Sequence, residues 1–341
     1  MKSPNLKLAI FSICVWTAVS GTSQAQPSSD RPFEAEAYVV RSKLFAGLID
    51  DLEKQATEAK SKNATLSDGQ PKLAAFYSGV ASCISDCQRF ETEAAWKLKY
   101  GRISDWLKKY PNSTSAKVAE ASYFVGYAWF ARGRGYASTV KEDAWPLFRE
   151  RIETARTKLE ALTGADRNDP GWYASMLQVA VAQGWPTEKF ETVYAEGAKR
   201  FPTYTDLYFV AALYFTPKWG GSQTAFNEFV EQVVANTKSQ LGETMYARVN
   251  WAYSSRDMFV TRKADWGRMK VGFQRIMRDY PDPWNANNYA KFACMAGDMK
   301  TFSELAKQIG EKPLEAAWFG NVQIYRQCQE SAQQAVKNER T

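Results

Sequence analysis

Apolar residues recur three and four positions apart along most of the chain from Phe33 onward, for example at Val118, Ala121, Val125, Ala128 and Trp129. That spacing places them on one face of an α-helix. Alternating runs rich in β-branched residues, the mark of half-buried strands, are missing. The pattern predicts an all-α protein without significant β-sheet.

One motif recurs three times and sets the punctuation. Ile103-x-x-Trp106-Leu107-Lys108-x-Tyr110-Pro111 matches Tyr194-x-x-Gly197-Ala198-Lys199-x-Phe201-Pro202 and Phe273-x-x-Ile276-Met277-Arg278-x-Tyr280-Pro281. Each carries an apolar stripe, then a basic residue in the last helical turn, where it complements the negative end of the helix dipole. The proline then stops the helix. Between the stops the chain resolves into helix pairs. First helices fall near 115–131, 171–183, 203–215, 241–255 and 284–296, with partners near 144–163, 187–200, 222–237, 264–279 and 300–309. Units beginning at Pro170, Pro202, Leu241, Pro281 and Pro313 repeat every ~32 to 40 residues, the range of helix-pair solenoids. The expected fold is a tetratricopeptide-like α-solenoid over 115–330, preceded by less regular helices over 33–114 (near 33–60, 72–82 and 89–109, with a polar loop over 61–70) and followed by a tail over 331–341. Each pair buries its stripe only against its neighbours, so no sharp domain boundary is expected.

The first residues alter the picture. Lys2 and Lys7 flank a short basic region, Leu8 to Val19 is apolar, and Ser23-Gln24-Ala25 supplies small residues. This is the layout of a secretory signal peptide over 1–25, followed by a flexible leader over 26–32. A periplasmic or secreted location follows. No later segment is apolar enough to span a membrane; Pro170 to Thr187 lacks charge but holds Gln178, Gln183 and Gly184 between prolines, and reads as a buried helix and a turn.

Forty-four basic residues stand against 37 acidic ones, interspersed rather than massed. Without a concentrated basic tract, nucleic acid is not expected as a partner. Histidine is absent, which excludes Ser-His-Asp and Cys-His catalysis and histidine metal sites. No metal and no cofactor is expected. Cys83, Cys87, Cys294 and Cys328 lie beyond the leader, and four cysteines allow three pairings. Neighbours in sequence are neighbours in a repeat array, which favours Cys83 with Cys87 and Cys294 with Cys328.

Two turns are chemically unusual. In Ala131-Arg132-Gly133-Arg134-Gly135-Tyr136-Ala137, Gly133 suits a helix stop, and Asp143 suits the N-cap of the next helix, with Pro146 in its first turn. In Thr216-Pro217-Lys218-Trp219-Gly220-Gly221-Ser222, Ser222 suits an N-cap. Together these segments resemble the bacterial family catalogued as domain of unknown function 4034, over about 117 to 236. That resemblance implies the helical-repeat fold and carries no activity. In an up-and-down array both turns fall on one edge, gathering Arg132, Arg134, Tyr136, Lys218 and Trp219 with Trp185, Arg256, Arg262 and Lys263. A basic, aromatic edge suits a protein or anionic-glycan partner. The expected role is a non-catalytic binding or scaffold protein of the bacterial envelope, with no catalytic residues. The alternative is a carboxylate-dependent enzyme of cell-wall or glycan turnover, although no acid pair stands out among the carboxylates.

Overall fold

A computed structural model describes residues 30–81, 92–133, 135 and 137–338. Among these it places sixteen α-helices and no strand, so the all-α expectation is met. The helices are α1 Pro32–Ala46, α2 Ile49–Ser61, α3 Lys72–Ala81, α4 Glu93–Lys109, α5 Thr114–Arg132, α6 Ala144–Glu160, α7 Pro170–Gln183 and α8 Thr187–Arg200. They continue as α9 Thr205–Tyr214, α10 Gln223–Asn236, α11 Glu243–Ala252, α12 Met258–Thr261, α13 Trp266–Asp279, α14 Pro283–Met295, α15 Met299–Ile309 and α16 Val322–Asn338. The signal-like leader, Cys83, Cys87, Arg134 and Tyr136 lie outside the described residues. The segment expected as a tail from 331 continues α16 as far as Asn338. None of the described helices is long and apolar enough to cross a membrane.

The three proline stops share one geometry. The residues after α4, α8 and α13 (Tyr110, Phe201 and Tyr280) have φ near −126°, −132° and −141° with ψ of 68°, 60° and 75°. Each donates its backbone N–H four residues back, to Trp106, Gly197 and Ile276. A single N-capping chemistry starts many helices: Thr92, Ser113, Asp169, Ser222, Asp265, Asp282 and Asp298 each accept a first-turn backbone N–H. Asp143 precedes α6 without such a bond.

Helices α5, α7, α9 and α11 contact one another in chain order and form an inner row. Helices α6, α8, α10 and α13 pack outside it, each against the inner helix before or after it. Inner helices are buried on several sides: nearly every residue of α7 from Pro170 to Val181 is buried, as a central layer requires. At the far end, Cys294 of α14 and Cys328 of α16 form a disulfide, with Cα atoms 5.9 Å apart.

The opening helices return to the inner row. The expected single helix over 33–60 is two, broken at Gly47, whose φ of 71° is open to glycine at little cost. Helix α3 packs on α1, α5 and α7. Tyr77 of α3 donates to the buried carboxylate of Asp169 at 2.9 Å, and Lys60 of α2 reaches that carboxylate at 3.5 Å. The segment expected as a polar loop over 61–70 is partly interior. Leu66 and Asp68 are buried, and Thr65 bridges Pro71 around an Asp68-Gly69 turn. The backbone carbonyl of Asp68 accepts from Arg248 Nη2 at 2.7 Å and from Asn285 Nδ2 at 3.2 Å. The N-terminal helices thereby close against α11 and α14.

Candidate functional site

The turn residues singled out by sequence come together only in part. The guanidinium of Arg132 lies 5.2 Å from the Trp145 ring centroid, 5.3 Å from Trp129 and 5.8 Å from Trp219. The Trp129 and Trp219 rings meet edge to face at 5.5 Å. The two unusual turns are therefore in contact. Arg132 is only 8% exposed, however, and donates to the carbonyls of Gly133 and Gly135 at 3.1 Å. Burial holds its pKa below the ordinary arginine value. It acts as a clamp between turns, where the edge reading expects an exposed charge.

Trp185 is buried and stands in another cluster. Its indole N–H donates to Gln183 Oε1 at 2.8 Å, and Lys189 lies 3.5 Å over its ring. Lys218 is exposed. Arg256 and Arg262, expected on the same edge, lie over the chain's own Phe319 and Phe226 rings.

The inner row offers a different site. A cavity of about 400 Å³ opens between α1, α9, α11 and α14. Phe33 and Glu34 line it from α1, Gln70 from the inserted loop, and Phe209 from α9. Arg248, Trp251 and Ala252 line it from α11, with Tyr253 just beyond and Trp284 from α14. A second cavity of about 240 Å³ adjoins it, walled by Trp129, Gln178, Val181, Val210 and Leu213. Phe209 and Tyr253 line both, so the two form one aromatic groove along the inner helices. The shared wall is pinned, since the Tyr253 hydroxyl donates to the Phe209 carbonyl at 2.5 Å.

Charge in this groove is sparse and specific. Arg248 is 4% exposed and its acceptor among the described residues is the Asp68 carbonyl. Desolvation lowers its pKa, against the nearby Asp68 charge. The Asp68 carboxylate is itself turned to Gln70, accepting from the backbone N–H at 3.0 Å and from Nε2 at 2.7 Å. Glu34 pairs with Arg31 at 3.2 Å, and burial raises its pKa although Arg31 opposes the shift. Arg31 also lies 5.1 Å over the Trp284 ring. On the same helix as Trp284, Lys291 is 4% exposed, donates to Asn288 Oδ1 at 2.8 Å, and sits between the Phe292 and Phe319 rings. Burial first, then the Arg31 charge, pull its pKa down to about 7.

Sequence reasoning passed over Arg248, Glu34, Phe209, Trp251 and Tyr253. The Asp68-Gly69 pair is the one local sign that the 61–70 loop makes a built turn rather than a solvated one. Among the described residues no group of three or more acidic or cysteine side chains is placed to hold a metal ion.

No family model matches the chain. No curated protein and no solved structure matches it either.

Proposed function

We propose that this chain is an exported, non-catalytic binding protein of the bacterial envelope, which takes its ligand in the aromatic groove on the inner helices. The carrying observation is the pair of cavities that share Phe209 and Tyr253. Taken together, their volume, apolar walls and few polar groups suit a ligand site. Among the described lining residues Glu34 is the one carboxylate, and Arg31 already engages it. Paired acid–base chemistry on a glycan needs two, which favours holding over cleavage.

Export rests on the basic, apolar and small-residue succession of the first 25 residues. The Cys294–Cys328 disulfide fits an oxidising compartment. Membership of the family catalogued as domain of unknown function 4034 belongs to the same proposal, supported by contact between the two turns that carry the resemblance.

Two measurements test this reading. Osmotic-shock fractionation of an expressing bacterium should release a chain whose first residue is Gln26. Native mass spectrometry of that chain should show a bound species that is lost when Ala252→Trp, at an exposed lining position, fills the groove. A bound species that survives Ala252→Trp places binding elsewhere.

A further inference from the structure

Arg248 is out of place for a purely structural side chain. A guanidinium carries five N–H donors in a rigid fork. Here one donor is used on a neutral carbonyl, and the group is almost wholly removed from water with no ion pair among the described residues. A buried charge without a partner costs several kcal/mol, so such groups ordinarily keep a carboxylate or phosphate against them. The Asp68 charge is felt at Arg248 but makes no ion pair with it, and both Asp68 oxygens accept from Gln70. Arg248 instead lines the larger cavity, together with Trp251, Trp284 and Phe33.

Resting on the binding-protein reading, we propose that Arg248 is the anchor for a ligand carboxylate, and that the ligand carries this carboxylate on a flat aromatic or apolar body. Three features select that chemistry. The unused guanidinium donors suit bidentate pairing with a planar carboxylate. Phe33, Phe209, Trp251 and Trp284 give a body of ring size apolar and aromatic surface. Glu34, lining the same cavity, disfavours a dianionic phosphate, which would set two more negative charges in a confined space. The carboxylate has two possible sources, a free small acid or the C-terminus of a peptide, and both present the same group.

The test uses the mature chain and two matched probe pairs: indole-3-acetate against indole-3-acetamide, and the peptide acetyl-Gly-Gly-Trp with a free or an amidated C-terminus. Isothermal titration should show the acid member binding at least about tenfold tighter than its amide. The pair showing the larger preference identifies the source. Arg248→Gln should erase the acid preference. If that variant fails to fold, the acid–amide comparison on the unaltered chain still decides. Equal binding of acid and amide, tighter binding of phenyl phosphate than of the carboxylates, or no binding by either acid at millimolar concentration overturns the proposal. Ala252→Trp separates the two readings. Probes that bind, are lost with Ala252→Trp and ignore Arg248→Gln leave the groove standing and remove the carboxylate anchor. Probes that bind unaffected by Ala252→Trp remove the groove itself.

Discussion

The side chain of Arg248 donates to the backbone carbonyl of Asp68 at 2.7 Å across 180 positions of sequence. The bond ties the inserted loop to α11, and Asn285 ties the same carbonyl to α14. Gly69 makes this approach possible. Its φ is +85°, and a methyl group there would stand 2.5 Å from the Tyr280 ring and 2.6 Å from Arg248 Nη2. Gly69→Ala is therefore expected to destabilise the chain by about 1–3 kcal/mol through backbone strain and displacement of Arg248. Urea unfolding followed by tryptophan fluorescence checks this. An unchanged midpoint would show that the loop does not brace the inner row.

Arg132→Ala is expected to lower stability by about 2–4 kcal/mol. The guanidinium touches three tryptophan rings and two carbonyls while mostly buried, so its loss removes cation–π contacts and leaves a void. The edge reading of the sequence expects almost no change in melting temperature for this substitution. Differential scanning calorimetry distinguishes the two. Exposed Lys218 supplies the contrast, since surface substitutions usually shift stability by less than about 0.5 kcal/mol.

What could be read from sequence follows how local each interaction is. The proline stops at Pro111, Pro202 and Pro281 carry their own signal within nine residues, and all three end helices in the same backbone conformation. The Cys294–Cys328 pair was legible because helices close in sequence meet in space at this end of the chain. Closure of the N-terminal helices was not legible. Asp68, Arg248 and Asn285 are polar, far apart in sequence, and share no periodicity that would link them. The groove has no sequence signal for the same reason, since its walls come from six helices and a loop. Placing Arg132 on an exposed edge overlooks Trp129, three positions before it on the same helix face, the spacing at which side chains meet.

The C-terminal helices depend on their disulfide. Besides it, α16 is held by Tyr325, which meets Trp318 edge to face at 5.0 Å and donates to the Gly310 carbonyl at 2.9 Å. The bridge closes a 34-residue separation, and a constraint of that length contributes about 2–4 kcal/mol. Replacing both cysteines by alanine should lower the unfolding free energy by that amount. It should also raise amide exchange in α15 and α16 before the inner row opens. Uniform exchange across the whole chain would show that the final helices do not open on their own.

Asp298 fastens two helices at once. Its carboxylate accepts from the Thr301 backbone N–H and hydroxyl at the start of α15, and from Trp266 Nε1 and Lys270 Nζ on α13. Burial alone would raise its pKa, but these four donors win and hold it well below the usual carboxylate range. A depressed folded pKa contributes stability above the unfolded value near ~4, and that contribution fades as pH falls below it. Asp298→Asn should therefore cost about 1–3 kcal/mol at pH near 7. The difference from the unaltered chain should shrink steadily below pH ~4. A gap that stays constant down to acid unfolding would mean the carboxylate charge contributes nothing.

Asp206 gives the opposite sign. It lies in the first turn of α9, half-buried, with no hydrogen bond or ion pair among the described residues. Desolvation pushes its pKa up to about 6. The charges it would carry face Tyr204 and Tyr253, whose hydroxyls are also pushed up, by burial first and then by this carboxylate. A carboxyl that holds its proton more tightly when folded favours the native state at low pH. That advantage disappears as pH rises from the unfolded value near ~4 through about 6. At neutral pH the chain therefore bears an ionised, poorly solvated carboxylate. Asp206→Asn should relieve it, raising stability by about 1–2 kcal/mol at pH near 7.5 and leaving it nearly unchanged at pH near 4. Chemical denaturation at the two pH values checks this. A variant less stable at pH near 7.5 would show that Asp206 holds a favourable partner in solution and that its carboxylate supports the helix end.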